Sequence, residues 1–305
     1  MADVFKKTLS QRMDEFTRYH RDGDGECNSV VLRGWADKHN LDFKQRWTLA
    51  YMFAVTYSVG SAIILFQHPE AWSRPSQIKQ DIIFQSDRKY IRMKDNFDRC
   101  LESFLAHLNE PRAVIKEWLK GEKIDANLAI LGIEKWTLFG RFSAFLFLEM
   151  FVWLTDYPII NLTTIQWEQG ATATSGLFNL FRRDKEADYF DKTKVLKVSP
   201  NLLDEMLQKT VECVEKTRGN TNVTTIETSL CAYRKHFKGS RYNGYYLDRM
   251  LEELEIQKKT HPEMAKELFD IRAEHYDKKY LGEKNGWHGI VKERKKWYLQ
   301  TGQIL

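Results

Sequence analysis

Residues 227–249 read ETSLCAYRKHFKGSRYNGYYLDR and concentrate chemically useful side chains. Arg234, Lys235, Lys238, Arg241 and Arg249 place five cations within sixteen residues. Tyr233, Tyr242, Tyr245 and Tyr246 are interleaved with them. Gly239 and Gly244 allow close turns, and Glu227 and Asp248 stand at the ends. Arginine and lysine clamp phosphate oxygens. Aromatic faces stack on an exposed base, and carboxylates orient or deprotonate an amine. The same spacing also suits a helical hairpin with a solvated basic rim and half-buried tyrosines. The string alone therefore names no reaction.

Three further strings have chemical potential. LGIEKWTLFGRFSAFLFLE (131–149) predicts a helix, a glycine-bearing turn and a second helix starting near Gly140. N–H groups at a helix start accept a phosphate, and Arg141 adds a charge in that first turn. Glu149 falls inside the apolar helix, where a carboxylate is costly unless paired. It is either half of a structural Arg–Glu pair or a polar group facing a pocket. In YMFAVTYSVGSA (51–62), Tyr51 and Tyr57 carry hydroxyls into an apolar helix, and Gly60 with Ser61 permits close approach. Plain core packing accounts for these residues equally well. GATATSG (170–176) reads as a small-residue loop able to bind phosphate through backbone N–H groups, but it has no lysine of its own.

The elements that position these groups read as helices. Only 16 glycines and 6 prolines punctuate 305 residues, of which 43% are hydrophobic and 29% charged. This composition predicts an ordered all-α fold. Residues 1–305 form one all-α domain, or two helical lobes (about 1–180 and 195–305) joined by a charged connection at 181–194. An amphipathic helix is expected over 3–20, then a Gly/Asp loop over 21–29 that lacks the later ligands of a calcium loop. Asp42 caps a continuous core helix over 42–67. Two helical stretches fill 75–108, a short helix 111–120, and Asp125 caps another at 126–131. Gly132 ends that helix, the long apolar helix runs over 142–154, and 161–176 is irregular. Helices follow at 201–217, from 227, at 245–259 and at 262–281, before a basic tail.

Trp47–Phe66 is uncharged and has the nominal length of a bilayer span. Its Thr, Ser and Gly content and the mean hydropathy of −0.53 favour a buried helix of a soluble core, with no membrane partner. The N-terminus has no apolar core of a signal peptide. Four widely spaced cysteines make a reducing cytoplasm the default location. The sequence has no phosphate loop, G-x-G-x-x-G, H-E-x-x-H or G-x-S-x-G, and no zinc spacing. Charge adds position: net +5 overall, with 16 Lys/Arg against 11 Asp/Glu from Tyr233 onward and 31 of each before it. The basic excess suits a polyanion.

RWTLAYMFAVTYSVGSA, GRFSAFLFLE and ETSLCAYRKHFKGSRYNGYYLDR together resemble the bacteriophage amino acid:DNA transferases, over roughly residues 40–250. That family belongs to the α-glutamyl/putrescinyl-thymine pyrophosphorylase group, in thymidine hypermodification. The resemblance implies a large helical domain like that of helix-hairpin-helix DNA glycosylases, with a flipped base in a pocket. It implies double-stranded phage DNA as substrate, carrying 5-pyrophosphoryloxymethyl-uracil made by a separate kinase. An amino acid such as glycine, or a polyamine, would displace the pyrophosphate through its amine. Arg141, Lys235, Lys238, Arg241 and Arg249 are then the phosphate and DNA contacts. Tyr57, Tyr242, Tyr245 and Tyr246 are base contacts, and Glu149, Glu227 and Asp248 candidate catalytic acids. No cofactor is named; magnesium recruited by pyrophosphate stays open, as does the oligomeric state. A glycosylase and a non-enzymatic DNA-binding or kinase-accessory protein are the alternatives the same features allow.

Overall fold

Few glycines and prolines leave long stretches in which nothing interrupts a helix, and capping side chains set where several of them begin. A computed structural model describes residues 7–20, 27–85, 88–93, 95–160, 171–181, 197–218, 223–237 and 245–276. Helix α1 (Leu9–Tyr19) opens on a capping box between Thr8 and Gln11. After α2 (Cys27–Lys38), Asp42 and Gln45 form a second capping box that starts α3 (Phe43–Thr56). Helix α4 (Val59–Gln67) follows, then 3-10 turns at Pro69–Ser73 and Pro75–Gln77. Next come the short α5 (Lys89–Arg92), then α6 (Asn96–Ser103) with a π-helical turn at Phe104–Leu108, and α7 (Pro111–Lys116).

Strands β1 (Leu119–Lys120) and β2 (Lys123–Asp125) pair antiparallel about Gly121, whose φ of 64° suits glycine. Asp125 accepts from the Asn127 and Leu128 N–H groups and starts α8 (Ala126–Ile133). Helix α9 (Arg141–Thr155) begins at Gly140, and β3 (Ile159–Ile160) lies parallel to β2. The chain continues through α10 (Ala171–Phe181), α11 (Pro200–Arg218), α12 (Val223–Phe237), α13 (Tyr245–Gln257) and α14 (Pro262–His275). The fold is all-α apart from this small sheet, which the sequence did not announce.

Two compact units emerge. The first contains 1–27, 162–248 and 276–305; the second contains 28–161 and 249–275. In the second unit α3 packs along α9. The buried Trp47 ring lies between 4.8 and 5.9 Å from those of Trp118, Trp136, Phe147 and Phe151. Its indole N–H donates to the Leu108 carbonyl at 2.9 Å, so this buried donor is satisfied. Tyr51 is core as well: its hydroxyl donates to the Cys100 carbonyl at 2.8 Å. The last turn of α9 closes on Asp156, at φ 52°, which Arg33 grips through two 2.6 Å bonds.

In the first unit, Phe16, Leu177, Phe178, Leu207, Leu230 and Tyr233 anchor a core built from α1, α10, α11 and α12. Helices α10 and α12 approach closely at Gly176, where a Cβ would fall 2.0 Å from the Leu230 carbonyl oxygen.

Several expectations change. The core helix expected over 42–67 is two helices, broken at Tyr57–Ser58. Residues 75–85 form turns, and helix in the described part of 75–108 is confined to α5 and to 96–108, where α6 runs into the π-helical turn; the helix expected to 120 stops at Lys116, ahead of β1. Gly132 lies inside α8, where a Cβ would meet the Trp118 indole at 2.4 Å. Residues 171–176 form the first turns of α10, and Thr174 and Ser175 are buried. The small residues of GATATSG therefore serve helix packing. Residues 161–170 and most of the charged connection at 181–194 lie outside the described residues. No described helix is long and apolar enough to cross a membrane, and no disulfide joins the four cysteines.

Candidate functional site

The break between α3 and α4 organises a polar and aromatic cluster within the second unit. The Tyr57 N–H closes α3 on the Phe53 carbonyl, and Tyr57 itself takes φ 56°. That left-handed conformation costs roughly 1–2 kcal/mol for a residue with a side chain, so its surroundings must hold it. Ser58 then restarts the helix: its hydroxyl accepts from the Ser61 N–H at 3.4 Å. Ser61 in turn accepts from the Ile83 N–H at 2.8 Å and from the Gln257 amide at 2.9 Å. Gly60 makes room for this, because a Cβ there would lie 2.1 Å from the Gln257 Oε1.

One side of the break faces the start of α9. The Tyr57 ring meets the Phe142 ring edge-on at 5.7 Å. The Arg88 guanidinium lies 4.5 Å from the Phe142 ring centroid and donates to the Ser143 hydroxyl at 2.7 Å. Arg88 is buried, while Phe142 is 47% exposed. Gly140 offers no side-chain cap to α9, and nothing lies within 4 Å of its Cβ position. Backbone N–H groups, Arg88 and Arg141 thus assemble positive potential at one helix start, beside an aromatic face.

The other side faces α13. The Gln85 N–H donates to the Thr56 carbonyl at 3.1 Å, and the Arg88 N–H donates to the Gln85 carbonyl at 2.7 Å. The Gln85 amide donates to Glu253 Oε1, and the Arg249 Nη2 donates to Gln85 Oε1 at 3.3 Å. Arg249 and Glu253 approach to 3.6 Å. Burial pushes the Glu253 carboxyl up to about 7, against the opposing pull of Ser58, Arg249 and Gln85. A carboxyl titrating near neutrality is able to exchange a proton at physiological pH.

Of the residues expected from sequence, Tyr57, Arg141, Glu149 and Arg249 belong to this unit. Tyr57 and Arg249 lie in the cluster, and Arg141 opens α9 over the Phe145 ring. Glu149 is buried two turns further along α9. Glu227, Lys235, Tyr245, Tyr246 and Asp248 belong to the first unit. Glu227 accepts from the Cys231 thiol at 3.5 Å on α12. Asp248 is buried, and Tyr246 packs on the core of that unit with its ring 5.6 Å from Tyr245. Lys238, Arg241 and Tyr242 lie outside the described residues.

Sequence reading passed over Ser58, Gln85, Arg88, Phe142 and Glu253. One of them carried a signal. Met250, Glu253, Leu254 and Gln257 follow the i, i+3, i+4, i+7 stripe of a buried helix face, so Glu253 stands in an apolar register. Among the described residues no group of three or more His, Cys, Asp or Glu side chains is placed to hold a metal ion.

A family model described as amino acid:DNA transferase matches residues 42–242, about two thirds of the chain. No curated protein matches it. The matched span contains Tyr57, Ser58, Gln85, Arg88 and Arg141–Ser143, whereas Arg249 and Glu253 lie beyond it.

Proposed function

The chain belongs to the amino acid:DNA transferase family, and from that premise we propose the reaction it performs. It displaces pyrophosphate from 5-pyrophosphoryloxymethyl-uracil in phage DNA with the amine of an amino acid, leaving a hypermodified thymine. The observation that carries this reading is the cluster at the start of α9, which falls inside the matched span.

Pyrophosphate departs with growing negative charge, and preorganised cations and N–H donors stabilise that charge as it develops. Arg88 and Arg141 supply the cations, and the opening turn of α9 supplies the donors. Lys235, Lys238 and Arg241 are further proposed contacts to DNA phosphates. Phe142, exposed and packed edge-on against the buried Tyr57 ring, offers a face on which an extrahelical base stacks, with Tyr57, Tyr242, Tyr245 and Tyr246 as additional proposed base contacts. The attacking amine must be neutral, so a carboxylate takes its proton. Glu149, Glu227 and Asp248 are proposed for that role from sequence. Glu253 joins them because Gln85 ties it to the segment that carries Arg88.

The test is pyrophosphate release from the pyrophosphorylated DNA in the presence of amino acids. Arg88→Ala is expected to slow release by about 10²–10³-fold, the usual loss for one charge-stabilising donor, with Arg88→Lys in between. Undiminished release by Arg88→Ala would remove the leaving-group site.

A further inference from the structure

We infer that Arg249 and Glu253 hold the amino acid donor, Arg249 taking its α-carboxylate and Glu253 its ammonium. This rests on the transfer reaction proposed above and deepens it, because it assigns the donor's chemistry to two residues beyond the matched span.

Opposite charges stand 3.6 Å apart on consecutive turns of α13, a separation of the same order as that between the two charged groups of an α-amino acid. The Arg249 side chain is 35% exposed, whereas that of Glu253 is 6% exposed beneath it. A guanidinium has five N–H donors. Arg249 spends one on Glu252 at 3.0 Å and one on Gln85 at 3.3 Å, which leaves donors for a two-point bond to a carboxylate. The groups facing Glu253 are the charged Arg249 and Glu252 and the hydrogen-bonding Ser58 and Gln85. The buried carboxyl is poised to take a proton near neutrality.

Position agrees with the reaction. Gln85 bonds both Arg249 and Glu253, and Arg88 follows three residues later. Three residues of chain span at most about 11 Å, so one short segment carries the contact to the donor pair and the proposed leaving-group cation. The ammonium gives one proton to the Glu253 carboxylate. Its lone pair forms a bond to the exocyclic methylene carbon as the C–O bond breaks, and that electron pair leaves on pyrophosphate. The secondary ammonium then releases its second proton to solvent. A diamine fits less well, since Arg249 faces it with like charge.

The experiment measures transfer to pyrophosphorylated DNA by the full chain, reading nucleosides by mass spectrometry. Glycine is compared with methylamine and alanine with ethylamine, pairs that differ only by the carboxylate. The wild type is expected to prefer the amino acids. Arg249→Gln should lower the glycine-to-methylamine ratio of kcat/KM by about 10- to 100-fold, mainly through KM, and Arg249→Lys should restore part of it. Glu253→Gln should lower kcat and remove the acidic limb of the pH profile. An unchanged ratio, or an unchanged pH profile, overturns the inference while the transfer reaction stands. If no amine gives product, the transfer reading falls, and equilibrium binding of ¹⁵N-glycine then judges the donor site. Saturable binding that weakens at least about tenfold in Arg249→Gln sustains the site; no binding, or binding unaltered by the substitution, overturns it.

Discussion

Replacing Glu253 by glutamine should make the protein more stable at alkaline pH, and the structure sets the size of the effect. The carboxyl, ordinarily near 4.5, is pushed by burial to about 7. At about 1.4 kcal/mol per pH unit this corresponds to about 3 kcal/mol. The folded state binds the proton more tightly than the unfolded state. Its contribution is therefore fully present below pH 4.5 and is lost as pH rises through about 7. Glutamine does not ionise, so the variant escapes that loss. The value of about 7 already includes the opposing pull of Arg249, so the whole shift is the net cost of ionising Glu253. The variant should gain about 3 kcal/mol over the wild type at pH 8 and nothing at pH 4.5. Urea unfolding across this range, followed by tryptophan fluorescence, measures the difference. Six of the nine tryptophans lie in the unit that holds Glu253. Parallel pH curves for the two proteins would refute the buried titration. Greater stability with slower transfer in the same variant is the pattern expected when a site carries stored electrostatic strain.

Other outcomes follow from the same contacts. Gly176→Ala drives a methyl group into the Leu230 carbonyl, a backbone atom that cannot swing aside; thermal unfolding should show a loss of about 1–3 kcal/mol, and a change under about 0.5 would contradict the close α10–α12 contact. Phe142→Ala removes an exposed ring and should weaken binding of DNA with an unpaired base by about 1–3 kcal/mol, measured by titration at fixed salt. Residues 277–305 carry seven Lys/Arg and three Asp/Glu. Ending the chain at Tyr276 should flatten the log–log salt dependence of DNA binding by up to about six, and an unchanged slope would place the DNA-binding charge elsewhere.

The outline of the fold was legible where one local signal sufficed. Trp47–Thr56 has no polar face, and the structure buries every residue of it. Asp42 and Asp125 cap the helices they were expected to cap, and Gly140 precedes α9 as read. The break at Tyr57 was not legible, because no glycine or proline marks it. Bonds from Ile83 and Gln257 to Ser61 hold it, and those partners are distant in sequence. Arg88 and Gln85 sit in no periodic pattern, and their roles come from Ser143 and Glu253 far along the chain. The small residues of 171–176 show a different limit: the composition that frees a loop to bind phosphate also lets two helices touch at Gly176. Glu253 was readable from its place on the buried stripe of α13, but attention to cations favoured Arg249 beside it.

Amino acid transfer to DNA is tested most directly by supplying ¹⁵N-labelled amino acids with DNA containing 5-pyrophosphoryloxymethyl-uracil. The DNA is then digested to nucleosides and weighed by mass spectrometry while released pyrophosphate is counted. The account predicts a new thymine-derived nucleoside carrying the ¹⁵N label, formed one for one with pyrophosphate. Abasic sites with free base, or unmodified nucleosides and no pyrophosphate, would contradict it.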